Sequence, residues 1–238
     1  MNTAPFVANA YAELPHAVAT GQSAFGKCHG KGLFAWLSEH PAEQELFGRA
    51  MSTFSGMEVE LVLGAYDFST SRHIVDVGGG HGMLLSSILR AVPEAKGTLF
   101  DLPDVVSRAK TSFIDEALAQ RCEALGGDFF RSAPEGGDLY LLKHIVHDWD
   151  DERALGILKS VATAMKPGAR LLVIEQGILA PGVANPGKVM DMIMLMLLDG
   201  GRERTAREHS ALFEQVGIRF EREIHTPGPI TVFEGVRR

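Results

Sequence analysis

An acid, three alternating glycines and a second acid farther along are the residues of this chain best spaced to hold a ligand. In HIVDVGGGHGM, His73–Met83, the β-branched Ile74, Val75 and Val77 run straight into Gly78, and an apolar helical pattern, Met83–Leu89, follows. That order reads as a buried parallel strand turning sharply into a helix. Glycine at the turn lets backbone N–H groups approach a ligand where any Cβ would collide. A second apolar strand, Gly97–Phe100, ends on Asp101 and Leu102. In Rossmann-like folds an acid about twenty residues past such a turn hydrogen-bonds the ribose hydroxyls of an adenosine. The glycine spacing narrows the ligand further. A dinucleotide fingerprint, G-x-G-x-x-G, needs glycine where Met83 stands, and Asp76 at the strand end would repel a pyrophosphate. Gly78, Gly80 and Gly82 alternate instead. A cationic amino or sulfonium group tolerates Asp76, so the expected ligand is an adenosine compound carrying positive charge.

The densest group of reactive side chains is LYLLKHIVHDWDD, Leu139–Asp151. Its apolar run ends on Lys143 and His144, and His147, Asp148 and Trp149 follow closely. Histidine has an ordinary pKa near neutrality, so His147 can remove a proton at working pH. Trp149 offers a stacking face to the ligand. His144 reads as a packed strand-end residue. Asp150 and Asp151 read as acids that cap the next helix and favour its positive end.

Other candidates lie at later strand ends. Glu175 closes the apolar run LLVIE, and Glu203 lies in GGRERT, Gly200–Thr205. Either acid can steer an imidazole, as carboxylates do in hydrolase triads; a solvated loop salt bridge is the competing reading of Glu203. Asp128 and Phe129, in GDFF, either hold an adenine amino group and pack on its ring or form a solvated loop. Met190, Met192, Met194 and Met196 alternate on a helix, which spreads them around it, so only some can line a flat aromatic ligand. Met190 and Met194 are the candidates for that lining, with core packing as the alternative.

Regular elements must place these groups. Pro15–Phe68 reads as helical, with glycine and proline punctuation. From His73 onward strands alternate with helices. The strands are Ile74–Val77, Gly97–Phe100, Arg121–Ala124, Leu139–Lys143 and Arg170–Glu175; the helices are Gly82–Ala91, Asp104–Lys110 and Glu152–Met165. Such alternation builds a parallel sheet with helices on both faces. Its carboxyl edge, where open α/β sheets bind ligands, then carries Asp101, Asp128 and Glu175, with His147 just beyond. Helices Gly187–Leu198 and Ala206–Val216 follow. The strands Ile218–Glu223 and Ile230–Gly235 suit a hairpin that adds one antiparallel strand. The expected division is a helical accessory segment, 1–70, and a ligand-binding domain, 71–238.

Composition removes several function classes. The net charge is −7 with no basic run, whereas nucleic acid binding needs clustered Lys and Arg. Cys28 and Cys122 have neither metal-ligand spacing nor a disulfide framework, so a reducing cytoplasm is the simplest setting. The apolar run Met190–Leu198 contains Asp191 and is too short to span a bilayer. Asn2–Ala12 lacks the basic and apolar regions of a signal peptide.

DVGGGHG, FDLPDVV, GDFF, LKHIVHDWDDE, LLVIEQGIL, DMIMLMLLDGGRERT and TPGPITVFEGV occur in that order. From about Tyr11 to the C-terminus the chain resembles the small-molecule O-methyltransferases of plant phenolic (caffeate-type) and bacterial natural-product (polyketide-type) metabolism. The resemblance implies a Rossmann-like class I methyltransferase core and S-adenosylmethionine as cofactor, with S-adenosylhomocysteine as product. It implies methylation of a hydroxyl on an aromatic small molecule. By resemblance Gly78 lies against the cofactor, Asp101 binds the ribose, and Asp128 with Phe129 holds the adenine. Lys143 and Trp149 match further cofactor contacts, and Asp76, Gly80 and Leu102 complete the candidates. His147 matches the general base, Glu175 and Glu203 the acids that bracket it, and Asp148 a substrate-proximal position.

Relatives carry a further N-terminal domain, mostly helical and winged-helix-like, that forms an intertwined homodimer. This chain is expected to start at the connecting helices. Phe25, Leu33, Phe34, Trp36, Leu37, Phe47, Met51 and Phe54 would then lie on an uncovered apolar surface. Two other readings fit the same motifs. One is a relative that uses the bound cofactor structurally during hydroxylation or decarboxylation, which an intact His147 disfavours. The other is a catalytically silent cofactor-binding module.

Overall fold

Hydrophobic strands with glycine or acid at their carboxyl ends assemble into one seven-stranded sheet in a computed structural model. It describes residues 4–109, 116–179, 182–183 and 185–238. Five helices come first: α1 Pro5–Ala12, α2 Leu14–Thr20, α3 Ala24–His29, α4 Leu33–Ser38 and the long α5 Pro41–Ala65. The segment read as continuously helical is therefore broken at expected signals. Gly21 and Gly30 end α2 and α3 in the left-handed conformation, and the Ser23 hydroxyl caps α3 by accepting from the Gly26 N–H.

The strands are β1 His73–Val77, β2 Lys96–Asp101, β3 Cys122–Gly126, β4 Leu139–Lys143, β5 Arg170–Glu175, β6 Ile218–His225 and β7 Thr231–Arg237. The helices between and after them are α6 Met83–Ala91, α7 Pro103–Ala109, α8 Glu116–Ala119, α9 Asp151–Ala164, α10 Pro186–Leu197 and α11 Ala206–Gln215. Boundaries shift by a residue or two from expectation. Gly82 and Asp150 stand outside α6 and α9 as their caps, and Lys110, expected to end the helix that follows β2, lies outside the described residues.

The sheet order is β3-β2-β1-β4-β5-β7-β6. All pairs among the first five strands are parallel, and β7 runs antiparallel to both neighbours. It is the one reversed strand that the closing hairpin predicted. The strand order changes direction between β1 and β4, and a crevice opens at the carboxyl ends of the strands at such a point.

Successive residues of each strand feed opposite faces. Val75 and Val77 join α9 and α11 residues such as Ile157, Val161 and Phe213 in one core. Ile74 joins Val59 and Val62 of α5 and Leu85 and Ile88 of α6 in the other. The C-terminal half of α5 thus belongs to the sheet's core, and the Tyr66 hydroxyl beyond it donates to Glu234 Oε1 at 2.8 Å.

The expectation of an uncovered apolar surface on the first helices is corrected. Phe25, Leu33 and Leu37 are buried in a third core with Met194, Met196 and Leu197 of α10. Trp36 and Phe47 pack against it, Met51 is half-buried, and Phe34 remains 43% exposed. The Phe54 side chain lies outside the described residues. The cover comes from this chain's own α10, whose apolar face needs a partner as much as the helices do. Among the described residues no helix is long and apolar enough to cross a membrane, and no cluster could hold a metal ion.

Candidate active site

The cofactor candidates meet at the switch point. Gly78 and Gly80 adopt φ values of +72° and +59°, which residues with a Cβ rarely do. At Gly78 crowding adds to this, because a Cβ would stand 2.5 Å from Ile145 Cδ1 and 3.5 Å from Phe129. Space around Gly80 is open. The Gly80 N–H donates to Asp101 Oδ2 at 2.8 Å and the Leu102 N–H to Oδ1 at 2.7 Å. The acid at the end of β2 therefore holds the glycine turn in place, while each carboxylate oxygen keeps a lone pair for a hydroxyl. Leu102 is exposed beside it. Asp76 is buried beneath the turn, with Oδ2 against Gly79. Burial pushes its pKa up to about 7, against the pull of the Lys143 charge.

Asp128 Oδ1 accepts from the Phe130 N–H at 2.9 Å, so part of its capacity goes to its own turn. Lys143 Nζ stands 2.6 Å from Glu58 Oε2 on α5. Trp149 stacks on Phe34 at 5.8 Å, meets Phe130 edge-on, and has the Arg153 guanidinium 4.1 Å from its ring centre. Its indole N–H is buried without a hydrogen-bond partner among the described residues. A donor left unpaired, an open glycine turn and an acid with free lone pairs suit a polar adenosine ligand with a cationic end. The residues fit S-adenosylmethionine.

The candidate for proton handling sits one turn past β4. His147 is buried in a short 3-10 turn, Val146–Asp148. Its Nδ1 lies 2.7 Å from Glu203 Oε1, and its backbone N–H donates to Glu175 Oε1 at 2.9 Å. Assigning the shared hydrogen to Nδ1 leaves Nε2 as the bare lone pair, 3.5 Å from Asp148 Oδ1. The acids expected to bracket His147 therefore act differently: Glu203 orients the ring, and Glu175 holds the backbone.

Electrostatics couples these groups. Burial, then the nearby Asp191 carboxylate, pushes Glu203 up to about 9 against the Arg204 charge. Burial likewise raises Asp148 to about 7, with His147 pulling the other way. The solvated-loop reading of Glu203 is corrected, because it is 2% exposed and its backbone N–H donates to Asp191 Oδ1 at 2.9 Å.

Two residues escaped the sequence reading. Arg204, 1% exposed, donates to the Val146 and Trp149 carbonyls at 2.9 and 2.8 Å and to Asp151 Oδ1. It straps the turn that carries His147. Only its place beside Glu203 in RER could have flagged it. The second is His209 of α11, fully buried, stacked on Phe233 at 4.1 Å and with Nε2 3.7 Å from Glu175 Oε2. Met194 is buried in the α10 core and Met190 packs against it, which places both toward the first helices.

Burial pushes His209 down to about 3, so it stays neutral in the fold but charges in the unfolded chain below about 6.5. A depressed pKa stabilises the fold above the unfolded value, and that stability is lost as pH falls toward the folded value. At about pH 5 the loss reaches about 2 kcal/mol. Denaturant midpoints should therefore show His209→Phe gaining about that much on wild type between about pH 7.5 and 5. A constant gap between the two proteins over that range would refute the neutral buried imidazole.

An O-methyltransferase domain profile matches residues 11–219. The chain is 42% identical to the mitomycin biosynthesis 6-O-methyltransferase of Streptomyces lavendulae, over 99% of its own length and 67% of that protein's. It is 39% identical to the phenazine O-methyltransferase PhzM of Lysobacter antibioticus, over 94% and 66% of the two lengths. It thus spans about two thirds of the length of these curated relatives. The structure superposes with a TM-score of 0.86 on NcsB1, an O-methyltransferase from neocarzinostatin biosynthesis solved with S-adenosylmethionine and 2-hydroxy-5-methyl naphthoic acid. That match, at 33% identity, covers 98% of this chain and 70% of the other. With the glycine turn, Asp101 and the Glu203-oriented His147 on one sheet edge, the chain belongs to the S-adenosylmethionine-dependent O-methyltransferase family.

Proposed function

We propose that this chain transfers a methyl group to a hydroxyl of an aromatic small molecule, with His147 as general base. The Glu203–His147 hydrogen bond at the switch-point edge carries this reading. When bound, S-adenosylmethionine supplies an electrophilic methyl group on a sulfonium. Asp101 would hold its ribose, Asp128 and Phe129 its adenine, and Trp149 would donate its unpaired N–H. Gly78 and Gly80 allow the close approach. Lys143 and Asp76, both near the turn, set the local charge. Nε2 of His147 takes the phenolic proton as the acceptor oxygen attacks, and Asp148 faces the acceptor. Holding donor and acceptor in line supplies about 7 kcal/mol or more of the acceleration.

In this reading residues 71–238 carry cofactor and base, and 1–70 form the accessory helices. The working protein is a cytoplasmic homodimer acting in natural-product biosynthesis. Incubation with S-adenosylmethionine and a panel of phenols tests the activity: the acceptor should gain the mass of one methyl group. No gain with any phenol, despite cofactor binding, would support the silent module instead.

Asp101 is testable by itself. Asp101→Ala removes an acceptor for the ribose hydroxyls and frees the Gly80 and Leu102 N–H groups it holds. Hydrogen bonds to a charged group contribute about 1.5–3 kcal/mol, so affinity for S-adenosylmethionine and S-adenosylhomocysteine should fall about tenfold or more. Equal calorimetric affinities for wild type and variant would remove Asp101 from the site.

A further inference from the structure

We infer that Glu58, a buried acid on α5, is a positioning residue for methyl transfer: it grips Lys143, which ends β4, and His144 just past it, and so fixes the turn carrying His147. The inference rests on the function proposed above. Glu58 is 4% exposed, and its Oε2 stands 2.6 Å from Lys143 Nζ and 2.8 Å from His144 Nε2. Successive side chains of a regular strand point to opposite faces, so neighbours do not normally share one oxygen. The backbone resolves this at His144, whose φ of +55° is the one positive value at a non-glycine position among the described residues. That conformation is unfavourable for a residue with a Cβ and persists where its surroundings hold it.

The grip reaches the base through ring contact. The His144 imidazole stacks on that of His147, with centroids 5.0 Å apart and planes 27° apart. His147 is thus held from three sides: Glu203 on Nδ1, Glu175 on the backbone and His144 against the ring. Burial pushes Glu58 up, but the His144 hydrogen bond and the Lys143 charge outweigh it and hold the carboxyl below its ordinary value. Burial also pushes His144 down to about 4, which keeps it neutral with Nε2–H donating to Glu58. The charge that stands against Glu58 is therefore that of Lys143. Because α5 lies outside the sheet, Glu58 makes the placement of His147 depend on how the accessory helices dock.

Glu58→Gln and His144→Asn, alone and together, test this; asparagine tolerates the left-handed backbone. A base displaced by a fraction of an ångström loses rate rather than cofactor affinity, so each variant should lower kcat about tenfold. S-adenosylhomocysteine affinity should change by less than about threefold. The double variant should be no slower than the slower single one, since both break the same grip. A wild-type kcat in Glu58→Gln, or losses that multiply in the double variant, would overturn the inference. NMR of the imidazoles in the wild-type protein keeps the question open to test if a variant fails to fold. It should find the His144 hydrogen on Nε2; a hydrogen on Nδ1 alone overturns the contact. In Glu58→Gln the His147 ring signals should move, and unmoved signals count against the grip. These signals need no turnover, so they decide the role of Glu58 even if no acceptor is methylated.

Discussion

His147→Ala is expected to lower the methylation rate at saturating cofactor and acceptor by about a hundredfold or more. A phenol with a pKa of about 10 is only about one part in a thousand ionised at neutral pH, so most encounters present a protonated oxygen. In the proposed reaction Nε2 would remove that proton as the new bond forms, its lone pair aimed by the Nδ1–Glu203 contact at 2.7 Å. Cofactor affinity should persist, because the contacts proposed for Gly80, Asp101 and Asp128 lie on other strand ends. The backbone N–H bond from residue 147 to Glu175 also survives the substitution. The deficit should shrink for more acidic phenols, which need less help in losing the proton. A rate unchanged at neutral pH would remove His147 from the mechanism. Lost S-adenosylhomocysteine binding would mark it as structural.

Arg204→Ala should cost about 2–5 kcal/mol of stability, because it takes a charged donor from two carbonyls of the turn, about 1–3 kcal/mol each. The fold's whole margin is of the order of 5–15 kcal/mol, so the variant is expected to be poorly folded at best. The partners apportion the loss. Asp151 is 57% exposed at its side chain and can turn to water. The Val146 carbonyl belongs to a fully buried residue, cannot turn to water and would keep only the Trp149 N–H at 3.3 Å. Arg204→Lys should restore little, since an ammonium cannot reproduce the planar fork that spans Val146, Trp149 and Asp151. Denaturant midpoints measure this. A loss below about 1 kcal/mol in Arg204→Ala would show that the turn holds without its strap.

What the chain announced about itself is local. The glycine turn follows from three residues that must take positive φ, the strands from β-branched runs, and the α9 cap from Asp150, whose side chain accepts from the Arg153 N–H. These signals act over a few residues, so they can be read along the sequence. The motif order also singled out Asp101, His147 and Glu203, and the fold brings His147 and Glu203 within 2.7 Å of each other. The partners of the buried charges were not legible. Glu58 meets His144 across 86 positions, and Arg204 meets Asp151 across 53. Along the chain, RER reads as an ordinary surface run. Glu203 and Arg204 are buried, and Arg202 stays exposed, because the 198–205 loop folds back over the His147 turn, where the Arg202 N–H donates to the His147 carbonyl at 2.8 Å. Likewise Phe25, Leu33 and Leu37 read as uncovered until α10 closed on them. Residue type and spacing declare which groups can do chemistry; burial, and with it the shifted pKa values of Asp76, Asp148 and Glu203 and the hold on His147, depends on contacts between segments far apart in the chain.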